Sequence, residues 1–188
     1  MDLSVNIAIC LVFCCVWDAE SRESNAVLTV PNGAQWGDWG ETQFCTSGYA
    51  NGFAIKVQAP QGMFKDDSSL NGIRLYCQSG ETIESSVGGK GEWSKTISCS
   101  KDYLSSFSLN VEAAQGPMDD STANNILFKC QSGEQLKGES KEWGTYGPWS
   151  KACEKGAICG IQSKVEPEKA GIMHDNTGLN DVKFYCCD

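Results

Sequence analysis

Asn71-Gly72-Ile73-Arg74-Leu75-Tyr76-Cys77-Gln78-Ser79-Gly80 is the stretch on which the reading of this 188-residue chain turns. It recurs as Asn125-Ile126-Leu127-Phe128-Lys129-Cys130-Gln131-Ser132-Gly133, and again as Asn180-Asp181-Val182-Lys183-Phe184-Tyr185-Cys186. In each copy apolar residues alternate with polar ones up to a cysteine. A period of two puts one set inward and the other in water, which is the pattern of a half-buried strand. Gln78-Ser79-Gly80 and Gln131-Ser132-Gly133 then close the strand with a glycine turn.

The same alternation lies upstream of each copy. Phe53, Ile55 and Val57 alternate with Ala54, Lys56 and Gln58. Phe107, Leu109 and Val111 alternate with Ser108, Asn110 and Glu112, and Ile161-Gln162-Ser163-Lys164-Val165 follows suit. Further upstream stand Gly37-Asp38-Trp39, Gly91-Glu92-Trp93 and Gly147-Pro148-Trp149, whose tryptophans are 54 and 56 residues apart. The chain therefore reads as three copies of one unit, about 27–80, 81–133 and 134–188. Shorter strands are expected around Ile83, Ile97 and Leu136, making about four per copy. No window holds a 3.6-residue period, so little helix is expected.

A single sheet with one apolar face cannot bury that face alone. Three related sheets around a pseudo-threefold axis can, and the all-β expectation is that the repeated Trp and Phe/Ile/Val positions fill the common core. Trp36 and Trp143 stand outside the strict repeat and are the better surface candidates.

Residues 3–17 are almost uninterrupted apolar sequence, too short for a membrane span and fitting the core of a signal peptide. Ala19-Glu20-Ser21 offers small residues at the cleavage positions, so residues 1–21 read as a leader and 22–188 as one mature domain. Loss of Asp2, Asp18 and Glu20 leaves 21 acids against 15 bases, a net charge of −6. An acidic chain of this kind does not suit nucleic-acid phosphates. Membrane insertion after cleavage is not expected either.

Three of the eleven cysteines, Cys10, Cys14 and Cys15, leave with the leader. The remaining eight read as four disulfides formed in an oxidising compartment. No CxxC pair occurs and His174 is the only histidine, so no metal or cofactor is expected. Cys45 and Cys77 hold the places that Cys99 and Cys130 hold in the second copy. The repeat thus pairs Cys45 with Cys77 and Cys99 with Cys130. It leaves two bridges open among Cys153, Cys159, Cys186 and Cys187.

Val30-Pro31-Asn32-Gly33, Trp36-Gly37-Asp38-Trp39-Gly40, the stretch from Leu70 to Cys77, Tyr103-Leu104-Ser105-Ser106-Phe107, Gly147-Pro148-Trp149-Ser150 and Gly156-Ala157-Ile158-Cys159-Gly160 together resemble the vitelline membrane outer layer protein family. The resemblance runs from about Val27 to Cys187. It implies a β-prism of three four-stranded antiparallel Greek-key sheets, secretion, and a place in the outer layer of an egg envelope or another extracellular coat or fluid. It also implies a link to chitin-type oligosaccharides, with weak transfer activity at most. Expected partners are extracellular-matrix or egg-envelope proteins and glycans, met by a monomer.

Candidate site residues come from the long connection in each copy, which carries Asp66-Asp67, Asp119-Asp120 and Asp175-Asn176. Asp66, Asp67, Asp119, Asp120 and Asp175 could accept hydrogen bonds from sugar hydroxyls. Turn chemistry explains the same residues without a ligand, since Asp and Asn bond their own backbone. No nucleophile–base series, phosphate-binding glycine motif or calcium loop is present, so no catalytic residue is assigned. His174 reads as an ordinary loop residue.

Overall fold

The structure, a computed structural model, describes residues 22–58, 70–112, 123–140, 143–167 and 178–188. Among these, fourteen strands and no helix form. They are β1 (Ala26–Leu28), β2 (Asp38–Trp39), β3 (Gln43–Phe44), β4 (Ala50–Val57), β5 (Leu70–Cys77), β6 (Thr82–Glu84) and β7 (Glu92–Trp93). Then come β8 (Ile97–Ser98), β9 (Leu104–Val111), β10 (Ala123–Cys130), β11 (Gln135–Lys137), β12 (Thr145–Tyr146), β13 (Ala157–Val165) and β14 (Leu179–Cys187).

Three long antiparallel hairpins, β4/β5, β9/β10 and β13/β14, form the middles of three sheets. The first sheet runs β6-β5-β4-β7, the second β11-β10-β9-β12 and the third β1-β14-β13-β2. The short β8 and β3 pair beside β4 and β13. The sheets do not follow the sequence copies. Each copy's two opening strands pair with the hairpin of the copy before it, and β1 and β2 pair with the last hairpin. The third sheet is therefore closed by the first segment of the chain on the last.

The alternating apolar residues do face one core. In its central layer Phe53 stands opposite Leu75, Phe107 opposite Phe128 and Ile161 opposite Phe184, all fully buried. Phe53 and Phe128 approach to 4.7 Å between ring centres, Phe107 and Phe184 to 4.8 Å, and Phe128 and Phe184 to 5.0 Å. These rings come from all three sheets and knit them at the axis. The next layer pairs Ile55 with Ile73 and Leu109 with Ile126, but Ser163 with Val182. Ser163 is fully buried, and its hydroxyl has no hydrogen-bond partner among the described residues.

The tryptophans are not in this core, contrary to the expectation from the repeat. Trp39, Trp93 and Trp149 are half-buried on the outer faces, each under a cation. Lys183 Nζ lies 3.9 Å from the Trp39 ring centre, the Arg74 guanidinium 4.1 Å from Trp93, and Lys129 Nζ 4.1 Å from Trp149. Arg74 also donates to Glu84 at 2.9 Å. The phenylalanines fill the axis, and an indole would have to bury its N–H there without a partner.

The register of the third copy also differs from the sequence alignment. Asp38 pairs with Val165, Glu92 with Val57 and Thr145 with Val111, so Tyr146 stands where Trp39 and Trp93 stand. The matching glycines are Gly37, Gly91 and Gly144, with φ of 81°, 89° and 87°. A side chain there would meet strand-end backbone at 2.5–2.6 Å, so only glycine brings these strands in. Trp149 lies three residues further on, which is why it sits only four residues before Cys153.

Disulfides Cys45–Cys77, Cys99–Cys130, Cys153–Cys186 and Cys159–Cys187 are formed. Three of them join neighbouring sheets. The N–H of Cys45 bonds the carbonyl of Cys159 in the third sheet, that of Cys99 the carbonyl of Asn51 in the first, and that of Cys153 the carbonyl of Ser105 in the second. Each accepting residue is the extra one of a β-bulge. The partners Cys77, Cys130 and Cys186 end the long hairpins of the first, second and third sheets. The bridges thus staple third to first, first to second and second to third. Cys159–Cys187 lies within the third sheet.

Candidate functional site

Because the bridges gather the cysteine ends of all three hairpins, the opposite ends also share one side of the prism. There stand Val57 and Leu70, Val111 and Ala123, and Val165 and Leu179, where the long connections leave and return. Asp66, Asp67, Asp119, Asp120, Asp175 and His174 lie in those connections, outside the described residues. What the structure does describe is the rim from which they depart.

That rim is built by the residues before the three positive-φ glycines. Trp36 precedes Gly37, Lys90 precedes Gly91 and Trp143 precedes Gly144. Trp36 and Trp143, read from sequence as lying outside the repeat, occupy one and the same repeat position. They are 41% and 52% exposed, and Val27 is the other exposed large hydrophobic among the described residues. The signal for this was present as a common Trp/Lys-Gly-x-Trp/Tyr series. The third copy's offset Trp149 masked it.

The rim backbone is tied down from below. Lys56 Nζ donates to the carbonyls of Gly88 and Gly89 at 2.9 and 3.1 Å, and Lys164 Nζ to that of Gln35 at 2.7 Å. In the second sheet the buried Asn124 donates to the carbonyl of Trp143 at 2.9 Å. Asn32 reaches from the third sheet's rim to the carbonyl of Leu109 in the second, also at 2.9 Å. Gly88 and Ala34 donate their N–H groups to the carbonyls of Asn71 and Asn180. The rim tryptophans therefore project from a fixed main chain.

Asp181 is packed under the same rim, against Gly33, where a side chain's first carbon would lie 2.2 Å from the carboxyl carbon. Burial pushes its carboxyl above the usual carboxylate range; the N–H of Val182, Lys164 and Lys183 pull the other way. At the cysteine end Glu81 behaves oppositely. It accepts hydrogen bonds from the main chain and hydroxyl of Thr46 and from Ser79, which hold it below its usual value. Glu134 accepts hydrogen bonds from the main chain and hydroxyl of Ser100, both at 2.9 Å. Two groupings of potential metal ligands, Cys45/Cys77/Glu81 and Cys99/Asp102/Cys130, have their cysteines joined as disulfides, which removes the thiolates a metal would need.

An aromatic face on a rigid rim, fringed by amide and carboxylate groups, can stack on a flat apolar surface while hydrogen bonding at its edges. The fold and this geometry define the class: a disulfide-stapled β-prism, the architecture of the jacalin-like lectins. Calystegia sepium agglutinin superposes with a TM-score of 0.58 at 14% identity, over 87% of this chain and 96% of that one. Artocarpin, described as a lectin with mannose specificity, gives 0.54 at 13% identity over 87% and 97%. Likeness at this identity shows the fold alone.

A family model, Vitelline membrane outer layer protein I, matches residues 26–188, and the chain belongs to that family. It is 42% identical over 183 residues to the vitelline membrane outer layer protein 1 homolog of Homo sapiens, covering 93% of this chain and 89% of that one. The Mus musculus homolog is 41% identical over 170 residues, covering 86% and 83%. Family and disulfides together fit an extracellular protein.

Proposed function

We propose that the chain is a secreted structural and interaction protein of an extracellular coat, such as the outer layer of an egg vitelline envelope. The observation that carries this is the closed ring of inter-sheet bridges, which suits a protein that must persist outside the cell. Residues 1–21 act as the leader, and the mature chain, residues 22–188, is a single domain. Arg22 supports that boundary: its guanidinium donates to the carbonyl of Cys45 at 2.9 Å and lies over Tyr49. Expression of the full chain in secretory cells tests it: the secreted product should begin at Arg22. Retention in the membrane fraction would overturn the leader reading. Antibody staining then tests the coat role. Label confined to a fluid secretion, with none in an egg envelope, would overturn that placement.

A second reading is glycan binding, favoured by the two exposed rim tryptophans and by the lectin fold. Asp66, Asp67, Asp119, Asp120 and Asp175 serve it as hydrogen-bond acceptors, since their connections leave from the same rim. Binding above background on a glycan array, reduced by Asp→Asn changes at these positions, is the expected result; a flat array would sink it. No catalytic role is assigned. Incubation with chitin oligosaccharides should leave their lengths unchanged by mass spectrometry, and new lengths would reverse that assignment.

A further inference from the structure

We propose that the outer face of the third sheet binds an oxyanion group, a sulfate or a carboxylate carried on a sugar, with Lys183 and Lys164 as its cationic contacts. The proposal rests on the glycan reading above and names the chemistry of the sugar. A comparison of the three equivalent faces carries it.

On the first sheet both cations are spent. Lys56, opposite Trp93, donates to the carbonyls of Gly88 and Gly89. Arg74, the residue before Leu75, forms an ion pair with Glu84 at 2.9 Å. On the second sheet Asn110 and Leu127 hold those two places, so neither carries a cation. The third sheet keeps both. Lys164 stands opposite Trp39, and Lys183 precedes Phe184 as Arg74 precedes Leu75. The acid is missing, however. Leu28 lies opposite Phe184 as Ile83 lies opposite Leu75, so the exposed Thr29 follows where Glu84 follows on the first sheet.

Lys183 Nζ lies 3.9 Å and Lys164 Nζ 5.9 Å from the Trp39 ring centre. The two ammonium groups thus gather at one ring, closer together than the Debye length of about 10 Å at 0.1 M salt. Each ammonium carries several N–H donors. Lys164 gives one to the carbonyl of Gln35. Those of Lys183 meet no hydrogen-bond or ion-pair partner among the described residues. Asp181 shares the face, but its carboxyl is packed under Gly33, accepts the N–H of Val182 at 2.8 Å and forms no ion pair with either lysine. Asp38 stands opposite the inward-facing Val165, on the other side of its strand from Trp39. The face therefore retains positive charge and unspent donors, and an oxyanion supplies what they lack. Trp36 follows Gln35 in the chain and is 41% exposed. Its indole offers a stacking surface to the C–H face of a pyranose, which matches an acidic sugar better than an acidic peptide.

Calorimetric titration of the mature chain with a sulfated tetrasaccharide, a tetragalacturonate and uncharged maltotetraose tests this. The charged oligomers should bind at one site, more weakly as salt is added, and maltotetraose should bind far less. Lys183→Gln breaks no hydrogen bond among the described residues, and it should weaken binding about tenfold, the scale of a hydrogen bond to a charged group. Thr29→Glu should weaken it similarly while keeping both lysines, because it restores the acid that the first sheet has. Lys129→Gln, on the second sheet, should leave binding unchanged. Thermal midpoints check that the variants remain folded; should Lys183→Gln unfold, the exposed Thr29→Glu decides. Wild-type affinity in Lys183→Gln and Thr29→Glu would overturn the inference, as would tetraglutamate or inorganic sulfate binding as tightly as the sugars. Neutral glycans bound on an array, with no heat from the charged oligomers, would overturn it and leave the glycan reading standing. No binding of any glycan, charged or neutral, would overturn both.

Discussion

The two ends of the prism are made by the same three hairpins, yet they are held in different ways. At the cysteine end three disulfides run from sheet to sheet, and a fourth ties β13 to β14. Glu81 and Glu134 there clamp the residues that follow Cys45 and Cys99. Tyr49 meets Tyr103 edge to face at 5.1 Å. Among the described residues the rim is tied by hydrogen bonds to main-chain carbonyls, from lysine and asparagine side chains and from the N–H groups of Gly88 and Ala34. The difference teaches a division of labour. One end fixes how the sheets are arranged, so the other can expose aromatic and polar groups without endangering the fold.

The division is broken most severely at the cysteine end. Replacing Cys99 and Cys130 together by alanine opens a bridge of sequence separation 31. The chain-entropy model puts the loss at about 3–4 kcal/mol, seen as a lower midpoint in chemical unfolding. A rim substitution should cost less. Asn124→Ala removes the bond to the Trp143 carbonyl from a nearly fully buried site. A destabilisation of about 1–3 kcal/mol is expected, together with altered Trp143 fluorescence. An unchanged spectrum would mean that Asn124 does not position that ring.

Between the ends, Ser163→Ala should raise stability. It deletes a buried hydroxyl that no described residue satisfies, a gain of about 1 kcal/mol. A loss instead would show that the hydroxyl has a partner.

The smallest effect is in pH, and its sign differs between the ends. Glu81 is held below its ordinary 4.5, so its contribution is present above that pH and fades as pH falls through the folded-state value. Glu81→Gln should therefore lose stability relative to wild type at neutral pH, and the gap should close on acidification. Asp181 is raised above its ordinary 3.8, so its penalty is absent below that pH and complete above its folded-state value. Asp181→Asn should be more stable than wild type at neutral pH, with that gap also closing toward pH 4. Unfolding midpoints of both variants across this range check the opposite signs.

Much of the fold was legible because alternation is local. Phe53, Phe107, Phe128 and Phe184 announce their inward direction by their neighbours two residues away. The tryptophans were not legible in this way. Trp39 and Trp93 sit on two-residue strands, too short for a period to declare a face. Their outward direction depends on Lys183 and Arg74, which arrive from other strands. The shared place of Trp36 and Trp143 was hidden for a related reason. The most conspicuous residue of the third copy, Trp149, is not the equivalent of Trp39; Tyr146 is, and its register against Asn110 establishes that.

Sequence alone determined that there are three copies, that each carries a long hairpin with one apolar face, and that eight cysteines lie downstream of the apolar stretch 3–17. Tertiary structure decided that the copies exchange strands, that Cys153 meets Cys186 and Cys159 meets Cys187, and that the bridges run between sheets. It also decided that two of the rim positions carry a partly exposed tryptophan. The physical reason is that strand register is set by hydrogen bonds between segments far apart in the chain. Local periodicity reports which way a residue points, but not which strand lies beside it.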